Sequence, residues 1–166
     1  MSAVVVWCVL AAVVASIIVW LMSTARRLDR LHIRLDRSRD ALQAAFDRRC
    51  AVIAAIIPSL VPLARTVEEV RLSPRDLHSR LAAEDELGLR MSELRAQGAD
   101  SALTEAALCE LQDADKRVML ALRFYNDAVA DTRSLRLRPA VRGLRLAGTA
   151  AMPEYAVLRQ LPAQPA

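Results

Sequence analysis

Hydrophobic and polar positions divide this chain sharply. From Ala3 to Met22 the side chains are apolar except for Ser16, and none is charged. Twenty helical residues rise about 30 Å, the depth of a bilayer's hydrocarbon core, so the stretch predicts a transmembrane helix over 3–22. A cleavable signal peptide fits less well. No side-chain charge precedes Ala3, and Arg26-Arg27 directly follow Ser23 and Ala25, a small-residue pair that could pass as a cleavage signal.

Beyond Thr24 charge appears, but the helical period continues. Leu28, Leu31, Leu35, Leu42, Phe46, Ile53 and Ile57 recur at helical spacing between charged residues, which predicts one long amphipathic helix continuing the anchor. Pro58 and Pro62 end or kink it, because each lacks an N–H and crowds the preceding turn. Leu60, Leu63, Val67 and Val70 then resume a three-four pattern. Ser73-Pro74-Arg75-Asp76 reads as a helix start with Ser73 as N-cap. Leu77, Leu81, Met91 and Leu94 form an inner stripe, while Glu84-Asp85-Glu86 reads as a solvated acidic face. Gln97-Gly98-Ala99-Asp100 predicts a glycine cap and a turn. A last helix is expected over 101–136. There Ala107, Leu111, Ala114, Val118, Ala121, Tyr125, Ala128, Thr132 and Leu135 alternate four and three apart, a seam like that of a coiled coil. Pro139 stops it.

The pattern therefore predicts an all-α protein: a single N-terminal transmembrane helix continuing into an antiparallel bundle over 24–136, then a basic irregular tail over 137–166. With a turn at Pro58 the bundle is three passes of similar length, 24–57, 59–97 and 101–136, and this matching favours three helices. The rival places the turn at Ser73. Three passes would run the first and last helices the same way and bring Arg48 and Arg49 level with Tyr125 and Asn126. Those four residues are the predicted interhelical polar layer. Asn126 is the pointer, since asparagine is a poor residue for a helix interior.

Composition supports the helical reading. Four glycines and few β-branched residues after the anchor argue against a sheet, and two phenylalanines with two tyrosines leave the core to aliphatic side chains. The net charge of +4 is uneven, with basic stretches after the anchor and over 133–145 and an acid-rich middle. Arginines crowd the C-terminal flank of the apolar stretch, which predicts that this side lies in the cytoplasm of a cell membrane, N-terminus outside. Trp7 and Trp20 stand near the two ends, at headgroup level. Arg26, Arg27 and Arg30, with Arg136, Arg138, Arg142 and Arg145, are the candidate lipid-facing basic residues, worth about 1 kcal/mol each near an anionic surface. The last four are expected to form a mobile tail. Cys8, Cys50 and Cys109 show no paired spacing, so no disulfide is expected.

Catalytic chemistry finds no foothold. His32 and His78 are isolated, and there is no phosphate-binding glycine loop or nucleophile elbow. No catalytic, cofactor or metal residue is assigned, and no enzyme is expected. A scaffold or interaction protein with a protein partner or self-association is the expected class. The alternative is a membrane-surface module for anionic lipid or nucleic acid, with nucleic acid disfavoured because the basic blocks lack interleaved aromatics.

One run carries a family resemblance. Arg123-Phe124-Tyr125-Asn126-Asp127-Ala128-Val129, preceded by Leu111-Gln112, Asp115 and Arg117 and followed by Pro139, resembles the C-terminal motif of the LemA family. Leu146-Ala147-Gly148 with Pro153-Glu154-Tyr155 looks like that family's closing signature, and Arg48-Arg49-Cys50-Ala51-Val52-Ile53 is similar to its paired-arginine segment. The resemblance implies a helical protein held by one N-terminal membrane helix, with a four-helix bundle as the alternative to three. It implies no biochemical activity.

Overall fold

The computed structural model describes residues 2–98, 103–143 and 151–159. Helix α1, Ser2–Ile56, runs unbroken through the apolar stretch and the amphipathic one. A 3-10 turn at Pro58–Leu60 reverses the chain into α2, Val61–Glu69. An extended link leads to α3, Leu77–Ala96, and α4 covers Glu105–Arg136, followed by the short α5, Pro139–Gly143. No strand occurs among the described residues.

Within α1 the apolar part presents its side chains outward, with Val4, Trp7, Ile17 and Val19 all exposed. It is long and apolar enough to cross a membrane. From Leu28 onward the same helix turns one stripe inward: Leu28, Leu35, Leu42, Phe46, Cys50 and Ile53 are buried. Helix α4 answers with its predicted seam, every member of which is buried except the half-buried Ala107 and Ala121. Small side chains along that seam let the two long helices approach closely.

The bundle has four helices, not three. Residues 59–97 do not form one pass, because the chain reverses twice. It turns at Pro58 and again over the link after Val70, whose extended backbone (ψ 108°) ends α2. The helix start also lies later than expected: Asp76, not Ser73, is the N-cap of α3, its Oδ1 accepting from Ser79 N at 3.0 Å. At the other end of α3, Gly98 takes the left-handed conformation (φ 83°), and its N–H donates to Arg95 O, as the cap pattern predicts.

Four passes invert the last helix. Arg34 pairs with Asp131 and Arg48 with Glu110, so α4 runs antiparallel to α1. Helix α3 runs parallel to α1, with Arg80 at Asp47 and Glu84 at Arg49 and Cys50. Because α2 is short, it covers only the half of the bundle farther from the apolar stretch, where it packs with Cys50, Ile53, Leu87, Met91 and Leu111. In the nearer half its place is taken by Leu72 and by the irregular segment 151–159, whose Ala156 joins Leu42, Phe46, Leu81, Tyr125 and Val129. Leu28, Leu135 and Val141 close the end of the bundle nearest the apolar stretch.

Candidate functional site

Two polar constructions stand out, and both use residues that the polar-layer expectation had placed together. The first is a buried ion network at mid-height. Leu28, Leu35 and Leu42 repeat every seven residues along α1, and the next place in that series is Arg49. The helix therefore carries its guanidinium straight into the core. On α3 the inner stripe of Leu77, Leu81 and Met91 puts Glu84 inside as well, so the reading of Glu84 as part of a solvated acidic face is corrected. Asp85 and Glu86 do lie farther out.

Arg49 donates to Asp115 Oδ1 at 2.8 Å and to Glu84 Oε2 at 3.0 Å. Arg80, wholly buried, donates to Glu84 Oε1 at 2.9 Å and to Asp47 Oδ1 at 3.1 Å. Its Nη1 also reaches the carbonyls of Val67 (2.9 Å), Glu68 (3.3 Å) and Val70 (2.7 Å). Those carbonyls belong to the end of α2, where Val67 O accepts the Val70 N–H, the last turn is short of helical donors and the dipole favours a cation. A single guanidinium therefore caps α2, neutralises α3 and touches α1, and it stacks 5.4 Å over the Phe46 ring. Arg95, 4.0 Å from Asp115, brings the set to three guanidiniums against three carboxylates. No buried side-chain nitrogen or oxygen among the described residues lacks a partner.

Burial pushes the Glu84 carboxyl up, and the guanidiniums of Arg49 and Arg80 pull it back. Burial works the other way on Arg49, but Asp115 and Glu84 outweigh it and hold that guanidinium above its ordinary range. The geometry around Glu84 is that of an ion pair. Both Glu84 oxygens receive donors, from Arg80 and the Cys50 thiol on one and Arg49 on the other. A protonated acid would have to turn its own hydrogen toward one of them.

Cys50 is pushed up to about 12, by burial first and then by the charge of Glu84, so it remains a thiol and donates to Glu84 at 3.7 Å. A raised acid contributes stability that is complete below its unfolded value and is lost as pH climbs from there through the folded one. For Cys50 that window is alkaline, so acidification leaves this contribution intact. Iodoacetamide at mildly alkaline pH is expected to alkylate the exposed Cys109 in the native protein and to spare Cys50 until the chain is unfolded. Mass mapping that finds both modified at one rate would contradict the buried network.

The second construction holds the tail. Tyr125 donates to Glu154 O at 3.1 Å, and Asn126 grips Ala156 twice, Nδ2 to its carbonyl at 2.8 Å and Oδ1 from its N–H at 2.9 Å. Arg133 donates to Pro153 O and Arg136 to Ala151 O. From α3, Asp85 accepts the N–H of Arg159, and His78 lies 3.2 Å from Glu154.

The predicted layer of Arg48, Arg49, Tyr125 and Asn126 therefore does not form. Arg48 pairs with Glu110 at the surface, Arg49 lies in the core network, and Tyr125 and Asn126 hold the tail. The physical reason is the inverted α4, which sets Glu110 and Asp115 at the level of the paired arginines. Arg49→Ala and Asn126→Ala are expected to destabilise independently, since they share no partner. A double-mutant cycle with clear coupling would contradict the antiparallel register.

Of the candidate lipid-facing residues, Arg26, Arg27, Arg30, Arg138 and Arg142 are exposed, and Arg145 lies outside the described residues. Arg136 is corrected: it is buried against the tail and is not part of a free basic extension. The expected irregular tail over 137–166 is corrected in part: residues 139–143 form α5, whose Val141 is buried against Leu28 and Leu135, and residues 151–159 are irregular but packed. Arg80 was not singled out from sequence, and Asp85 only as one of a solvated acidic run. No protein-family model, curated protein or solved structure matches this chain.

Proposed function

We propose that this is a single-pass membrane protein of the LemA type whose cytoplasmic four-helix bundle is a non-enzymatic scaffold for protein interaction. The observation that carries the reading is the continuity of α1. Its outward apolar stretch and its inward seam belong to one helix, so the bundle stands on the membrane anchor without a joint. The LemA resemblance draws support from contact between its separate pieces. Tyr125 of the RFYNDAV run bonds Glu154 of the Pro153-Glu154-Tyr155 run, and Arg49 of the paired arginines bonds Asp115. Arginine excess after the apolar stretch favours a cytoplasmic bundle. A phosphatase that matures only outside the cytoplasm, fused after Leu158, is expected to be inactive, and a fluorescent reporter fused there is expected to glow. The opposite pair of results would reverse the topology. Affinity capture from solubilised membranes is expected to bring down a stoichiometric protein partner, and capture of the chain alone would remove the scaffold reading.

A second reading has its own observation. The return of α4 brings Arg138 beside Arg27 around a small cavity of about 200 Å³, lined also by Trp20, Ser23 and Thr24 at the end of the apolar stretch. Two guanidiniums beside an indole at headgroup depth suit an anionic lipid headgroup. Flotation with anionic against neutral vesicles, with Arg27→Gln/Arg138→Gln as the control, tests it.

A further inference from the structure

The segment 151–159 is held in an unusual manner for a piece of core. Its side chains contribute less than its backbone: Met152, Tyr155 and Val157 are 37%, 47% and 67% exposed, while Ala156 is buried, at 1%, and the half-buried Leu158 packs against the same cluster. What the bundle grips is the backbone. Four side chains of α4 bond the peptide groups of Ala151, Pro153, Glu154 and Ala156, and Asp85 of α3 takes the N–H of Arg159. Asn126 satisfies the donor and the acceptor of Ala156 together, as a neighbouring strand would. The arrangement reads an extended chain chiefly through its peptide groups and makes two demands on side chains: the residue at the Ala156 position must be small enough to enter the cluster of Phe46, Leu81 and Val129, and the residue at the Leu158 position is apolar and packs against it.

The groove is also larger than its occupant. A cleft of about 760 Å³ continues beside residues 151–154 toward His32, Arg39, Ser73 and Arg75. A structural strap leaves no reason for that opening, whereas a longer ligand would use it. We propose that the groove between α3 and α4 is a binding site for an extended segment of a partner protein with alanine or glycine at the Ala156 position. The chain's own residues 151–159 are its occupant in cis. Backbone groups supply the affinity and the small pocket supplies the selectivity, the mode by which peptides are bound along a sheet edge, here performed by side chains of a helix. The cis segment acts as a competitor at an effective concentration of about millimolar, so it sets a threshold that a partner must exceed. This inference rests on the reading of the bundle as an interaction module and gives that module its site.

The test uses the full chain in detergent and a fluorescein-labelled peptide with the sequence of residues 150–159. Ala156→Asp places a carboxylate in the buried pocket and evicts the cis segment. By fluorescence anisotropy the peptide is expected to bind this variant at least about tenfold more tightly than the unaltered chain. Binding is expected to disappear when Asn126→Ala is added, or when the peptide carries leucine at the Ala156 position. Absence of binding to an Ala156→Asp chain that keeps its helical circular dichroism would overturn the groove. So would loss of that helical signal, because the segment would then be indispensable to the fold. In the unaltered chain the Ala156 amide is expected to exchange hydrogen much faster than the Val129 amide, and equal protection counts against release. Dimers of the unaltered chain formed by exchanged segments would make a second copy the occupant, against the proposal. Partners captured equally well by the unaltered and Asn126→Ala chains would remove the groove and leave the scaffold reading in place.

Discussion

Arg80→Ala is expected to lower the stability of the bundle by about 3–5 kcal/mol, the usual cost of removing one member of a buried ion pair. The loss has three parts that act together. Glu84 keeps only Arg49 as a cation, Asp47 keeps only Gln43, and at the end of α2 the Val70 carbonyl loses its guanidinium donor while that of Val67 keeps only the Val70 N–H. Arg80→Lys should recover little, because an ammonium cannot fork among a carboxylate and several carbonyls at once. Denaturant unfolding in detergent, followed by circular dichroism, measures both variants. A loss below about 1 kcal/mol, the range of an exposed pair, would contradict the buried position of the guanidinium.

Phe46→Ala carries a similar expected cost, about 3–5 kcal/mol, for the cavity it opens at the crossing of α1, α3 and α4. The ring also lies beneath the Arg80 guanidinium at 5.4 Å, a contact worth up to about 2 kcal/mol when desolvated. The two substitutions should therefore fail to add, whereas Phe46→Leu should retain most of the volume and lose the ring's charge contact. Additive effects of Phe46→Ala and Arg80→Ala would reduce the phenylalanine to a space-filler.

Seams were legible in this sequence, and the path of the chain between them was not. Leu28 to Ile53 and Leu111 to Leu135 announce their buried faces by period alone, because both helices are long enough for the pattern to outweigh local noise. The link after Val70 gives a weaker signal. Pro58 and Pro62 both precede it, and Ser73-Pro74 within it reads as well for a helix start as for a loop. One reversal missed there changes the number of passes and so turns α4 end for end, which is why Arg48 and Arg49 meet Glu110, Asp115 and Glu84 and not Tyr125. Glu84 could have been found: it stands seven residues after Leu77 and seven before Met91, in phase with the stripe. Its acidic neighbours masked that phase. Arg80 and the tail were harder. A guanidinium capping a helix thirteen residues upstream, or an asparagine holding a backbone thirty residues downstream, leaves no period behind.

Because α1 has no break between residues 2 and 56, the azimuth of its apolar stretch and the azimuth of the bundle are one quantity. Each residue of an α-helix turns the chain by about 100°, so one alanine inserted between Ser23 and Arg26 should swing the groove of α3 and α4 about a quarter-turn relative to the apolar stretch. Insertion of seven, about two full turns, should restore the original bearing and raise the bundle by about 10 Å. A partner that is itself fixed in the membrane would respond to these insertions periodically, failing at one residue and recovering at seven. A soluble partner would be indifferent to them.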